Sequence, residues 1–120
     1  MMGKDAVPTE CQGVDFSKAV DRMSAKMGAL YLSAGEQRLR ELDQAMAAGS
    51  PSAVMDAAHS LASLTGLWPI KALESYAREI YAAGERNELA AASHAHKRLQ
   101  VVMGWVLVKL RSLGYGVNAS

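Results

Sequence analysis

The sequence predicts an all-α fold: an up-down antiparallel four-helix bundle with an additional short N-terminal helix. Apolar residues recur at spacings of three and four along nearly the whole chain, which is the period of a helix with one buried face. These stretches are divided by short breaks rich in Gly, Ser and Pro, and short connections favour neighbouring helices that reverse direction. The valines at 101, 102, 106 and 108 suggest a strand, but nothing else in the chain offers a strand to pair with it. At 120 residues the chain has room for one domain, and with 50% apolar residues it can build a core without disulfides or metal.

Residues 1–13, "MMGKDAVPTECQG", show no periodicity and read as a flexible tail. Phe16, Val20, Met23 and Met27 form the stripe of the short first helix, with Asp15 as its cap. Leu32, Gly35, Leu39, Leu42 and Met46 carry the spacing through a longer second helix. Gly49 suits the C-terminal cap of that helix, Ser50 the N-cap of the next, and Pro51 its first turn. The third helix runs from Pro51 to about Leu67 with Val54, Ala57, Leu61, Leu64 and Trp68 inward. Trp68-Pro69 breaks it, because the residue before a proline is pushed out of helical geometry. Ile70, Leu73, Ala77 and Ile80 are the inner face of a fourth helix that stops at Gly84. The last helix, from about Arg86 to Leu113, places Leu89, Ala92, His96, Leu99, Met103, Val106, Leu110 and Leu113 on its stripe. The bundle thus covers 14–113, and 114–120 read as a C-terminal tail.

Several function classes are disfavoured. Thirteen Lys and Arg stand against 12 Asp and Glu, a balance without the basic surplus of a nucleic-acid binder. Cys11 is the only cysteine, so no internal disulfide forms, and no signal peptide is visible. The longest apolar run, "LQVVMGWVLVKL", is too short to span a bilayer, and the expectation is a cytoplasmic, soluble monomer. His94 and His96 diverge by about 200° on a helix, since each residue turns about 100°, so they do not share a metal. His94 is expected on the surface and His96 at the core boundary. Trp105, Tyr31, Tyr76 and the methionines read as core packing, and Lys97-Arg98 as a solvated face.

His59 is the residue these patterns leave unexplained. In "AAHSLASLTGLWPIKAL" it shares a face with Met55, Ala62, Ser63 and Gly66, displaced from the apolar stripe. Small neighbours leave the imidazole standing above its surroundings, where a second protein can reach it. Reversal of the chain near residues 68–70 sets His59 opposite Ala77 to Tyr81. The polar face there carries Lys71, Glu74, Arg78 and Tyr81. Arg78 and Tyr81 would offer hydrogen bonds or charge to a phosphoryl group on the imidazole, and arginine pairs well with phosphate oxygens.

On these residues the chain resembles the histidine-containing phosphotransfer (HPt) domain of multistep bacterial phosphorelays. His59, Leu61, Gly66 and Leu73 fall at positions that match the family pattern, and "ELDQAMAAGSPSAVMDAAH" and "YAAGERNELAAASHAHKRL" match its layout before and after. The likeness spans roughly 15–112. Ala62 and Ser63 stand where the family commonly has a lysine and a glycine. The resemblance implies a carrier whose His59 accepts a phosphoryl group from a receiver-domain aspartate and passes it to another receiver. Histidine's ordinary pKa of about 6.5 suits a neutral, nucleophilic imidazole. It also implies receiver domains of response regulators or hybrid kinases as partners, with Mg²⁺ expected only on the receiver and no cofactor of the chain's own. The docking face would be Met55, Ala62, Ser63 and Gly66, and the phosphate neighbours Arg78, Tyr81 and Lys71. No Gly-rich ATP loop is visible, so autophosphorylation is not expected. A second reading keeps the same fold as a module that docks on receivers without transferring phosphate.

Overall fold

The computed structural model describes residues 7–14, 24–65 and 70–114. Among these it contains four α-helices, α1 (Ala25–Ala48), α2 (Pro51–Thr65), α3 (Lys71–Glu85) and α4 (Ser93–Ser112), and no strand. Short 3₁₀ turns lie at Thr9–Cys11 and Leu89–Ala92. The valine-rich stretch at 101–108 is therefore helical, with Val102, Val106 and Leu107 buried and Val101 and Val108 exposed. The expected helix over Phe16 to Met23, and Trp68 and Gly66, lie outside the described residues. Met27, expected on that helix, instead occupies the first turn of α1, where its backbone N–H donates to the Ser24 cap and its side chain is exposed.

The helices pack as a closed set: α1 on α2, α2 on α3, α3 on α4, and α4 back on α1. The inward residues are those of the sequence stripes, with Leu42, Val54, Leu61, Leu73, Ile80, Leu99, Met103 and Leu110 all fully buried. Complete burial of such side chains is worth roughly 1.5–3 kcal/mol each, so they dominate the stability of the fold. Leu39, Met46, Leu64 and Trp105 pack at the edge of this core, while Leu113 is exposed. Tyr31 is buried, and burial pushes its phenol well above the ordinary tyrosine range.

The junction between α1 and α2 follows the local chemistry of "GSP". Gly49 adopts the left-handed conformation (φ 66°) that caps α1, with its N–H directed to Ala45 and Met46 carbonyls. Ser50 Oγ then accepts from the Ala53 N–H at 3.4 Å, and Pro51 opens α2. The last helix begins later than its apolar spacing suggests. Asn87 takes a left-handed φ of 57°, and the chain passes through the 3₁₀ turn at 89–92 before α4 starts at Ser93. Asparagine tolerates that conformation better than most residues, so the periodicity there was real but the backbone was not continuous.

Residues 7–13, which the sequence reads as part of a flexible tail, pack against the helices through Glu10 and Cys11. Cys11 is 2% exposed, and Glu10 is held in a two-point ion pair by Arg98 of α4, with Tyr76 of α3 donating to it at 2.7 Å. Arg98 is accordingly not part of a solvated face. It fastens the N-terminal segment to the bundle, while its neighbour Lys97 is exposed.

Candidate functional site

α2 presents one face to the core through Val54, Ala57, Ala58, Leu61 and Thr65 and turns His59 and Ser63 outward. His59 is exposed, with the small Ala62 and Ser63 one turn on along its face of the helix. Ser63 Oγ donates back to the His59 carbonyl at 3.2 Å, so the hydroxyl lies along its own helix instead of standing in front of the imidazole. The open setting of His59 is thus a property of local sequence.

α3 supplies the opposing wall. Its inner face of Leu73, Ala77, Ile80, Ala83 and Gly84 packs against α2, with a tight approach at Gly84. A Cβ on Gly84 would come within 2.7 Å of Met55 Cγ and 3.2 Å of the Pro51 carbonyl oxygen. Glycine here is a packing requirement. It also explains Met55, which shares a helical face with His59 but is half-buried over Gly84 and does not line the groove.

Between the two helices runs an open groove of about 460 Å³. Ala58, Ala62, Ala77 and Ala82 are among its small lining residues, and His59, Ser63, Arg78 and Tyr81 bring polar groups to it. The His59 and Tyr81 rings stand 6.2 Å apart between centroids, tilted by 52°. Two carboxylates, Glu74 and Glu85, line the groove as well. Arg78 is bound within α3: its Nε and Nη2 both donate to Glu74 Oε2, at 3.2 and 2.6 Å. Glu74 belonged to the polar face read from sequence. Glu85 did not, although its position four residues after Tyr81 was the signal that would have included it.

The groove therefore gathers His59, Arg78, Tyr81, Ala62 and Ser63. Lys71, expected as a third phosphate neighbour, is exposed in the first turn of α3 and does not line it, because the groove follows α3 only from Glu74 onward. Gly66 lies outside the described residues. No group of three or more His, Cys, Asp or Glu suited to a metal ion occurs among the described residues. No described helix is long and apolar enough to cross a membrane.

The other two histidines are placed differently. His94 is exposed. His96 has a side chain 15% exposed, and its Nε2 lies 2.7 Å from Asp43 Oδ1, which also accepts from Gln100 Nε2 at 3.0 Å. His96 is thus a partnered boundary residue between α4 and α1, and His59 is the histidine that faces an open groove. Comparison with known proteins identifies no family: no family model, curated protein or solved structure matches the chain.

Proposed function

We propose that the chain is a histidine phosphotransfer protein that relays a phosphoryl group between receiver-domain aspartates through a phosphohistidine on His59. The observation that carries this reading is an exposed imidazole near the Tyr81 ring on an open groove that one guanidinium and two carboxylates also line. In the proposed step the Nε2 lone pair of His59 attacks the phosphorus of the acyl phosphate. The N–P bond forms as the acyl P–O bond breaks, and the aspartate leaves as its carboxylate. The receiver supplies Mg²⁺ and most of the catalytic groups, and the carrier has no kinase activity. Small side chains around His59 let the receiver's phosphoaspartate approach, and Ala62 and Ser63 form part of the surface it covers. Arg78 and Tyr81 are the groups available to contact the phosphoryl oxygens. An up-down antiparallel bundle with a short N-terminal helix, acting as a cytoplasmic monomer, belongs to this reading.

A second reading, a module that docks on receivers without accepting phosphate, has specific support. Ala62 places no cation beside His59, and Arg78 is engaged by Glu74.

The deciding experiment mixes the purified protein with phosphorylated receiver domains and reads phosphate on the His59 peptide by mass spectrometry, kept out of acid, with His59→Gln beside it. The carrier reading expects label on His59 and none in the variant. Receiver binding without label would establish the docking module in its place, and neither label nor binding across a broad receiver panel would dismiss both.

A further inference from the structure

The polar make-up of the groove is unusual for a place that is to hold a phosphoryl group. Its lining includes one permanent cation, Arg78, against two carboxylates, Glu74 and Glu85. The cation is also occupied. Both of its bonds to Glu74 go to one carboxylate oxygen, which leaves unused the fork that guanidinium offers to two oxygens at once. The pair is exposed, with Arg78 at 74% and Glu74 at 40%, so water competes for it and little holds it closed. A phosphoryl group presents three oxygens and about two negative charges, and matches the guanidinium fork better than a single carboxylate oxygen does.

Resting on the carrier reading above, we infer that Glu74 is a positioning residue that sets how long a phosphoryl group stays on His59, by competing with it for Arg78. With the groove empty, Glu74 keeps the guanidinium along α3. Loading of His59 draws the guanidinium away and leaves Glu74 unpaired beside a second anion. That cost falls on the loaded state alone, so the phosphoryl group is held loosely and passes on readily. A relay intermediate is served by such loose holding. Glu85 lines the same groove but makes no ion pair among the described residues, so it does not act through Arg78.

The test loads the protein chemically, without any receiver. Phosphoramidate phosphorylates exposed imidazoles: its P–N bond breaks, ammonia leaves, the N–P bond forms on the ring, and the ring's proton is lost to water. Peptide-resolved mass spectrometry at neutral pH then follows the decay of phosphate on His59, with His94, exposed and remote in sequence, as the internal reference. Glu74→Gln should lengthen the lifetime on His59 about two- to fivefold, the range an exposed ion pair spans, and leave that on His94 unchanged. Arg78→Ala should shorten it, and Glu74→Gln should then add little in the Arg78→Ala background. An unchanged lifetime in Glu74→Gln, an equal lengthening on His94, or full lengthening without Arg78 would each overturn the inference, as would loading of His94 with none on His59. A protein that fails to accept phosphate from any receiver, yet shows the Glu74-dependent lifetime, would sink the carrier reading and keep the groove chemistry. Transfer with a Glu74-independent lifetime would do the reverse.

Discussion

Arg78 on α3 and Arg98 on α4 each make two bonds to one glutamate, and there the likeness ends. Arg78 and Glu74 are four residues apart on one helix, exposed, and joined through a single carboxylate oxygen. Arg98 and Glu10 are 88 residues apart, with Glu10 only 10% exposed, and both carboxylate oxygens are used, at 2.9 and 2.6 Å. Tyr76 completes the second cluster from a third element. Arg98's hydrogen bonds hold the Glu10 carboxyl down at about 2, against the partial burial that opposes them, and Tyr76 adds to the effect. The same bond to Glu10 raises the Tyr76 phenol above its ordinary range. Exposure and chain separation decide what such a pair is for. A pair within one helix that water can enter is held weakly. A pair that closes a long loop over a buried cysteine holds the chain in place.

That contrast is most exposed to failure at Glu10. Glu10→Gln removes the charge that orders Arg98 and Tyr76 and should cost about 1–2 kcal/mol, less than the whole carboxylate shift would give because water reaches the Arg98 side. Cys11 reports the opening directly. Its thiol is buried and pushed up to about 11, chiefly by burial and then by the nearby Glu10 charge, so alkylation near neutral pH should be slow in the parent. In Glu10→Gln it should rise about tenfold, while phosphoramidate loading of His59 stays the same. Equal Cys11 rates would mean that the ion pair does not hold the segment down.

An acid titration sharpens the same point with a smaller signal. Glu10's carboxyl lies below its ordinary value of 4.5, at about 2, so its contribution to stability is fully present above about 4.5. It is lost as the pH falls from there toward 2. Parent and Glu10→Gln should therefore converge in stability across that window, and curves that stay parallel would assign the shift no role in folding. The smallest effect belongs to the groove. Glu74→Gln and Arg78→Ala should each change stability by less than about 0.5 kcal/mol in urea denaturation. A loss beyond 1 kcal/mol would make that pair structural and erase the distinction between the two arginines.

Local chemistry made much of the fold and part of the site readable. The stripes of α1 to α4, the Gly49-Ser50-Pro51 junction and the Glu74, Arg78, Tyr81 face all depend on residues within a few positions of one another, where helical spacing is a reliable guide. The open setting of His59 was legible for the same reason, since Ala62 and Ser63 are its neighbours one turn along its own helix. Lys71 was misplaced because spacing says which face a residue shares and not where along a helix a groove begins. Met55 was misplaced because its surroundings depend on Gly84, a residue of another helix.

The sequence by itself therefore determined that α1 to α4 are helical, most of their inward faces and the exposed histidine, because each follows from propensity and periodicity over one or two turns. Only the tertiary structure decided that residues 7–14 are fastened to the bundle and that Arg98 is a structural cation. Those facts rest on contacts between residues far apart in the chain, and an ion pair leaves no periodic trace in the sequence on either side of it.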